Sequence, residues 1–137
     1  MAEGDRPERG LLDTSVLIDL DQIDAAKLPI TVAVCALSMA ELAAGPHATS
    51  DADERGRRQD RLQRAEATFD PLAFDGDAAR AYGRVFASVM AAGRKARGTR
   101  AVDLLIAATA LSAELPLYTR NGDDFRGIEQ LVQVVVV

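Results

Sequence analysis

Short apolar runs alternate along this chain with segments whose apolar residues recur at helical spacing. The runs cover residues 10–12, 30–37, 115–119 and 131–137, and each has the length of a strand. Residues 30–37 are apolar throughout rather than at every second position, which predicts a strand buried on both faces. A shorter run at residues 71–74 is a further strand candidate. The pattern therefore predicts four to five strands.

Helical segments are predicted between these strands. The first follows Asp13, and a charged third segment covers residues 51–66. The second is predicted to start at Ser38, because Ser38 and Glu41 have the spacing of a capping box. Asp77 and Thr99 are candidate caps of the fourth and fifth. The fourth has an apolar face, predicted to be core, made of Ala78, Ala81, Tyr82, Val85, Phe86 and Val89.

Strands that alternate with helices indicate an α/β fold. We predict a three-layer α/β/α arrangement around a central, mostly parallel sheet of four to five strands. Residues 1–137 are expected to form one domain, with residues 1–9 frayed. In such sheets the carboxyl ends of the strands and the amino ends of the helices share one edge, and ligands bind along it.

Composition narrows the possible functions. Apolar residues make up 48% of the chain, which suits a packed core. The net charge of -5 excludes a protein that holds nucleic acid by bulk positive charge. A single cysteine excludes a disulfide framework and a cysteine-based zinc site. No apolar run reaches the ~18 residues of a membrane span. The amino terminus also lacks the apolar stretch of a secretory signal, so we expect a cytoplasmic protein.

Carboxylates from four separate segments are predicted to meet at the ligand-binding edge. Asp13 ends the first strand, Glu41 and Asp103 lie in first helical turns, and Asp123 and Asp124 follow the strand at 115–119. Each alone has an ordinary explanation as a cap, a turn residue or a partner of the helix dipole. Together they would repel one another, and a hard divalent cation would relieve that repulsion. Mg²⁺ and Mn²⁺ are the cations that prefer carboxylate oxygens.

Such a cluster suits phosphoryl chemistry, in which a metal polarises a phosphodiester and activates water. A basic stretch without any acid leads from residue 81 to residue 102. Its four cations nearest to Asp103 are expected to contact phosphates: Arg94, Lys95, Arg97 and Arg100. A solvated surface loop is the alternative explanation of this stretch.

Four motifs, in order, resemble those of PIN-domain nucleases, and the resemblance covers nearly the whole chain. The first is Leu12-Asp13-Thr14-Ser15 and the second is residues 38–42 (SMAEL). The third is residues 103–108 (DLLIAA), and the fourth is residues 119–125 (TRNGDDF). The most similar group is the VapC toxins of bacterial toxin–antitoxin modules.

The resemblance implies a metal-dependent endoribonuclease that cleaves RNA with Mg²⁺ or Mn²⁺. It assigns Asp13, Glu41 and Asp103 to the acidic set, and Asp124 to the fourth position, with Asn121 and Asp123 as alternatives there. Ser15, Thr119 and Asn121 would support the metal shell or a bound water. It also implies a VapB-type antitoxin whose tail covers the acidic crevice, and a homodimer.

Three other functions fit less well. A haloacid-dehalogenase-type phosphatase needs a second aspartate two residues after its nucleophile, and Ser15 stands there. A phospho-receiver domain needs a lysine after a late strand, but the only lysines are Lys27 and Lys95. A PIN-like binding module without activity would usually lack one or more of the acids, and the first three are present.

Overall fold

A computed structural model describes residues 6–96 and 98–137, and its centre is a sheet of four parallel strands. The strands are β1 (Arg9–Leu12), β2 (Thr31–Ala33), β3 (Leu117–Thr119) and β4 (Val134–Val136), in the spatial order β2-β1-β3-β4. In the register, Leu11 lies opposite both Ala33 and Leu117. The predicted α/β class and parallel sheet are confirmed.

Five helices cover the two faces of the sheet. They are α1 (Thr14–Ile18), α2 (Ala36–Ala44), α3 (Ala52–Thr68), α4 (Gly76–Ala91) and α5 (Thr99–Ser112). Successive strand residues point to opposite faces, so Leu11 and Leu12 belong to two different apolar clusters. The cluster around Leu11 contains residues of α4 and α5, and the cluster around Leu12 contains residues of α1, α2 and α3. The result is the predicted helix–sheet–helix sandwich.

The predicted strand at residues 30–37 is shorter and less covered than its apolarity indicates. β2 is an edge strand of three residues, with Thr31 exposed, and only the following Val34 and Cys35 are buried. Beyond β2, Cys35 pairs with Leu72 in one isolated bridge, so residues 71–74 form no strand. The apolar residues of this segment therefore include two buried residues that connect β2 to α2, and they do not form a long central strand.

Three predicted helix starts are wrong. α2 begins at Ala36 with the extended residue Cys35 as N-cap, so Ser38 lies inside the helix and no capping box forms. α4 is capped by Asp75, whose side chain accepts from the Ala78 backbone amide at 2.9 Å, not by Asp77. α5 begins at Thr99 itself and is preceded by Gly98 at φ 73°, in the left-handed region that favours glycine.

Residues 6–9, part of the segment expected to be frayed, contact the rest of the chain. Arg9 lies in β1, and the Arg6 guanidinium donates to the Leu28 carbonyl at 2.9 Å. Residues 1–5 lie outside the described residues. On α4 the predicted apolar face is only partly buried, because Phe86 is 42% exposed. No helix within residues 6–96 and 98–137 is long and apolar enough to cross a membrane.

Candidate active site

The candidate site lies where β1 and β3 end. β1 stops at Leu12, and the next residue, Asp13, turns the chain into α1. Thr119 is the last residue of β3, and its hydroxyl reaches the Asp13 carboxylate. This is the carboxyl edge of the sheet, as predicted from the alternation of strands and helices.

Asp13 is held by two hydroxyl groups. Ser15 Oγ donates to Asp13 Oδ2 at 2.8 Å, and Thr119 Oγ1 donates to the same oxygen at 2.9 Å. These hydroxyls in turn accept from the backbone amides of Arg120, at 3.1 Å, and Asn121, at 3.0 Å. Asp13 is 4% exposed, and no hydrogen bond from the described residues reaches its Oδ1. Asp13 is thus fixed through one oxygen, and the other is left to bind a ligand.

Glu41 is held by Thr14, the residue next to Asp13. Thr14 Oγ1 donates to Glu41 Oε1 at 2.5 Å and lies 2.9 Å from the hydroxyl of Ser38, which is fully buried. Thr14 is the donor in both contacts, so its single hydroxyl proton is directed at the Glu41 carboxylate, which can only accept, with Ser38 Oγ as a second acceptor. Ser38 lies 3.6 Å from Cys35 Sγ. The Glu41 carboxylate is therefore oriented by a chain of polar groups that starts in the core.

The charges of the other three acidic residues act on Asp103. Burial, and then the negative charges of Asp13, Asp124 and Glu41, raise the pKa of the Asp103 carboxyl from 3.8 to about 7. The positive charge of Arg100 opposes that rise. A carboxylate with three carboxylate neighbours is the electrostatic signature expected of a cation site.

The fourth acidic position has three candidates, and their surroundings differ. The charge of Asp124 acts on Asp103, whereas Asp123 pairs with Arg126 at 2.8 Å and is largely exposed. Asn121 is exposed, and its backbone amide supports Thr119. The geometry therefore favours Asp124 for this position.

Two of the four predicted phosphate-binding cations, Arg94 and Arg100, lie beside the loop that carries Asp124. Arg100 Nη1 donates to the Asp124 carbonyl at 3.4 Å, and Arg94 Nη1 donates to the Asp123 carbonyl at 2.9 Å. Lys95 is exposed, and Arg97 lies outside the described residues. Arg94 and Arg100 thus hold the acidic loop, a role that the sequence did not indicate.

The donor set fits a hard divalent cation. Its oxygens come from carboxylates and hydroxyls, which are ligands that Mg²⁺ and Mn²⁺ prefer. As the side chains stand, no three histidine, cysteine, aspartate or glutamate residues of the described chain form a group that could hold a metal. Burial and then the negative charges of Asp13, Asp124 and Glu41 raise the pKa of Asp103, and a bound cation would relieve the repulsion among these carboxylates.

Sequence reasoning missed Thr14 and assigned Ser38 the wrong role. Thr14 stands between two predicted site residues, Asp13 and Ser15. Its position in the first turn of α1 turns its hydroxyl away from Asp13 and towards α2. The polar side chain of Thr14, within the first motif, was the only signal in the sequence. Its partner, Glu41, lies 27 residues away and could not be predicted from local spacing.

Comparisons with known proteins show which family this chain resembles. Residues 10–131 match the PIN domain family. The chain is 36% identical to ribonuclease VapC5 of Mycobacterium tuberculosis over 134 residues, which is 96% of each chain. Its structure matches a member of the VapBC family of toxin–antitoxin systems, VapBC-5 from Mycobacterium tuberculosis, with a TM-score of 0.85 and 37% identity. That match covers 96% of this chain and 100% of the other.

A more distant likeness extends the comparison. A toxin–antitoxin complex from Klebsiella pneumoniae matches with a TM-score of 0.63 and 27% identity, covering 93% of this chain and 96% of the other. The matched region, residues 10–131, contains Asp13, Glu41, Asp103 and Asp124. On the family match and on the identity to VapC5, the chain belongs to the PIN domain family and, within it, to the VapC proteins.

Proposed function

We propose that this protein is a ribonuclease that hydrolyses RNA phosphodiester bonds with Mg²⁺ or Mn²⁺, acting as the toxin of a toxin–antitoxin module. The observation that carries the proposal is Asp103, whose pKa is raised to about 7 by burial and then by the negative charges of three carboxylates from other segments of the chain. The identity to ribonuclease VapC5 supports RNA as the substrate. A PIN-like module without activity is less well supported, because no acid of the set is missing.

The cation would be held by Asp13, Glu41, Asp103 and Asp124. When bound, it supplies a Lewis acid for the phosphate and lowers the pKa of water. The chain's own residues orient the carboxylates. Ser15 and Thr119 fix Oδ2 of Asp13 through hydrogen bonds, and Thr14 fixes Oε1 of Glu41.

The basic loop would hold the substrate's backbone. In this proposal the phosphates are contacted by Arg94, Lys95, Arg97 and Arg100. The charge of Arg100 also acts on Asp103. Each arginine has five N–H donors, so those that donate to carbonyls here keep others for phosphate. Phosphate contacts give affinity without base specificity.

The proposed protein partners are a VapB-type antitoxin and a second copy of this chain. Support for the antitoxin comes from the solved relatives, which are toxin–antitoxin systems by description. The homodimer rests on the family resemblance alone. We further propose that residues 1–137 act as one domain in the cytoplasm, where RNA substrates are found.

Mapping RNA ends in cells tests the proposal and identifies the target. The protein is induced, and new RNA ends are compared with those from cells that express Asp13→Asn at the same level. We expect discrete new ends with the wild type only. Identical end profiles from both proteins would contradict ribonuclease activity and favour a binding module.

A further inference from the structure

A cavity between α4 and residues 126–131 lies beside the acidic loop but is not part of the site described above. Its volume is about 1080 Å³, and it is called here the α4 cavity. Its α4 wall starts at Arg84 and continues past the end of the helix to Arg94. Arg94 also donates to the Asp123 carbonyl at 2.9 Å. The α4 cavity therefore adjoins the loop that carries Asp124.

The charged residues of the α4 cavity are mostly basic. Among the described residues, its lining contains three arginines, Arg84, Arg94 and Arg126, and one acid, Glu129. The two carboxylate oxygens of Glu129 accept from the Gly127 backbone amide, at 3.2 and 3.0 Å. On a chain with a net charge of -5, the cavity is a local excess of positive charge. Its charge therefore favours an anionic ligand.

The three arginines keep donors for such a ligand. Arg84 is exposed and has no hydrogen bond or ion pair with any residue of the described chain. Arg126 pairs with Asp123 at 2.8 Å, but both side chains are largely exposed, and surface pairs of this kind hold their partners weakly. Asp123 itself does not line the cavity. Arg94 donates to a carbonyl through Nη1 alone, out of five N–H donors.

We propose that the α4 cavity binds the backbone of the RNA strand on one side of the cleaved bond, with Arg84 and Arg126 contacting phosphates. This inference rests on the proposed function. An RNA whose reacting phosphate lies at the carboxylates has to continue over an adjoining surface, and the α4 cavity adjoins the loop of Asp123 and Asp124. Guanidinium groups bind phosphate through paired N–H donors and stay charged at any working pH.

Size and lining favour an RNA strand over a small molecule or a protein. The cavity, at about 1080 Å³, exceeds the roughly 300–1,000 Å³ of small-molecule sites. Protein partners bind through large anchoring side chains in well-packed apolar pockets. Apart from Leu131, however, the apolar side chains of the lining are those of Ala87, Ala91 and Ala92. Phe86 and Met90, the large apolar side chains that α4 exposes, lie outside the cavity, so a protein would dock there instead.

The test measures binding of a short fluorescein-labelled single-stranded RNA of mixed sequence, by anisotropy, across salt concentrations. All proteins carry Asp13→Asn so that the RNA stays intact, and Mg²⁺ is present throughout. Arg84→Ala is compared with Arg80→Ala, which removes an exposed charge one turn earlier on α4, outside the cavity. For Arg84→Ala we expect about tenfold weaker binding and a salt slope about one unit smaller. Arg80→Ala should bind like the parent, and Arg84→Lys should recover part of the affinity.

Two results would overturn the inference. One is equal affinity and equal salt slope in Arg84→Ala and Arg80→Ala. The other uses labelled poly-glutamate of the same charge as the RNA: if it binds the parent as tightly as the RNA does, and Arg84→Ala weakens both equally, the cavity suits an acidic protein segment as well as it suits RNA.

Cleavage of the same RNA by proteins that keep Asp13 separates this inference from the proposed function. If wild type cleaves the RNA and Arg84→Ala has the same KM and kcat, only the role of the α4 cavity is contradicted. If wild type does not cleave the RNA, the proposed function is contradicted.

Discussion

Thr14 Oγ1 donates to Glu41 Oε1 at 2.5 Å, and this bond joins the helix after β1 to the helix after β2. The orientation of the Glu41 carboxylate thus depends on Thr14, a residue for which the sequence predicted no catalytic role. Thr14 is itself buried, and its hydroxyl also contacts the hydroxyl of the fully buried Ser38 at 2.9 Å. The orientation of Glu41 therefore depends on core packing as well as on α2.

Replacing Thr14 tests this positioning role. Thr14→Val keeps the shape but removes the donor, so a hydrogen bond to a charged group worth about 1.5–3 kcal/mol is lost. We expect cleavage to fall about tenfold or more, and Mn²⁺ affinity, measured by calorimetry, to weaken as well. Thr14→Ser keeps the hydroxyl and should recover both. Equal Mn²⁺ affinity in the valine and serine variants would show that Thr14 is only a packing residue.

Stability should depend on pH through Asp103 when metal is removed. The folded-state pKa of about 7 exceeds the ordinary 3.8, so the folded state holds a proton that the unfolded state has lost over that interval. The free energy of unfolding therefore falls as pH rises from 3.8 to about 7 and changes no further above it. The folded state is therefore more stable at low pH, because the pKa of Asp103 is raised on folding.

Asp103→Asn removes this dependence. With chelator present, its melting temperature should exceed that of wild type by more at about pH 8 than at about pH 5. Asp60→Asn, which changes an exposed carboxylate on α3, is the matched control and should show no such trend. If the difference in melting temperature between Asp103→Asn and wild type stays constant across this pH range, the raised pKa of Asp103 is contradicted.

The basic loop should contribute to RNA binding through charge. In an Asp13→Asn background, Arg100→Ala and Arg97→Ala should each weaken all RNAs about equally and reduce the salt slope by about one unit. Arg80→Ala, whose side chain is exposed and pairs with Asp77, serves as the control. Unchanged slopes in both loop variants would show that the basic loop does not contact the RNA phosphates.

Gly10 should tolerate no side chain. A Cβ at this position would lie 2.5 Å from Cε1 and 2.9 Å from Cδ1 of Tyr118, which is 1% exposed. We expect Gly10→Ala to lower the free energy of unfolding by about 1–3 kcal/mol, measured by urea denaturation. Gly83→Ala on α4 meets nothing within 4 Å and should instead stabilise, by up to about 1 kcal/mol. A neutral Gly10→Ala would show that the Tyr118 ring can move aside.

The elements that sequence predicted well are those set by local patterns. The apolar run that ends at Leu12 placed Asp13 at a strand end, and the structure puts it there. Helical spacing through residues 101–112 likewise placed Asp103 near the start of α5. Both predictions depend only on residues that are neighbours in the sequence, so contacts with distant parts of the chain did not change them.

The missed features depend on distant partners. Ser38 and Glu41 have capping-box spacing, but the chain turns at Cys35, and the Ser38 hydroxyl binds Thr14, 24 residues away. Asp75 and Asp77 are equally good caps by type, and only the backbone selects Asp75. The arginine contacts to the carbonyls of Asp123 and Asp124 span more than 20 residues, which local spacing does not reveal.

The proposed function requires the four carboxylates to form one metal-dependent ribonuclease site. Its most direct test is the initial rate of cleavage of a labelled single-stranded RNA by purified protein as Mg²⁺ is titrated and then removed with chelator. We expect cleavage that rises with Mg²⁺, stops with chelator, and is lost by orders of magnitude in Asp103→Asn but not in Asp60→Asn. Cleavage by Asp103→Asn at the wild-type rate, or cleavage that persists in chelator, would contradict the claim.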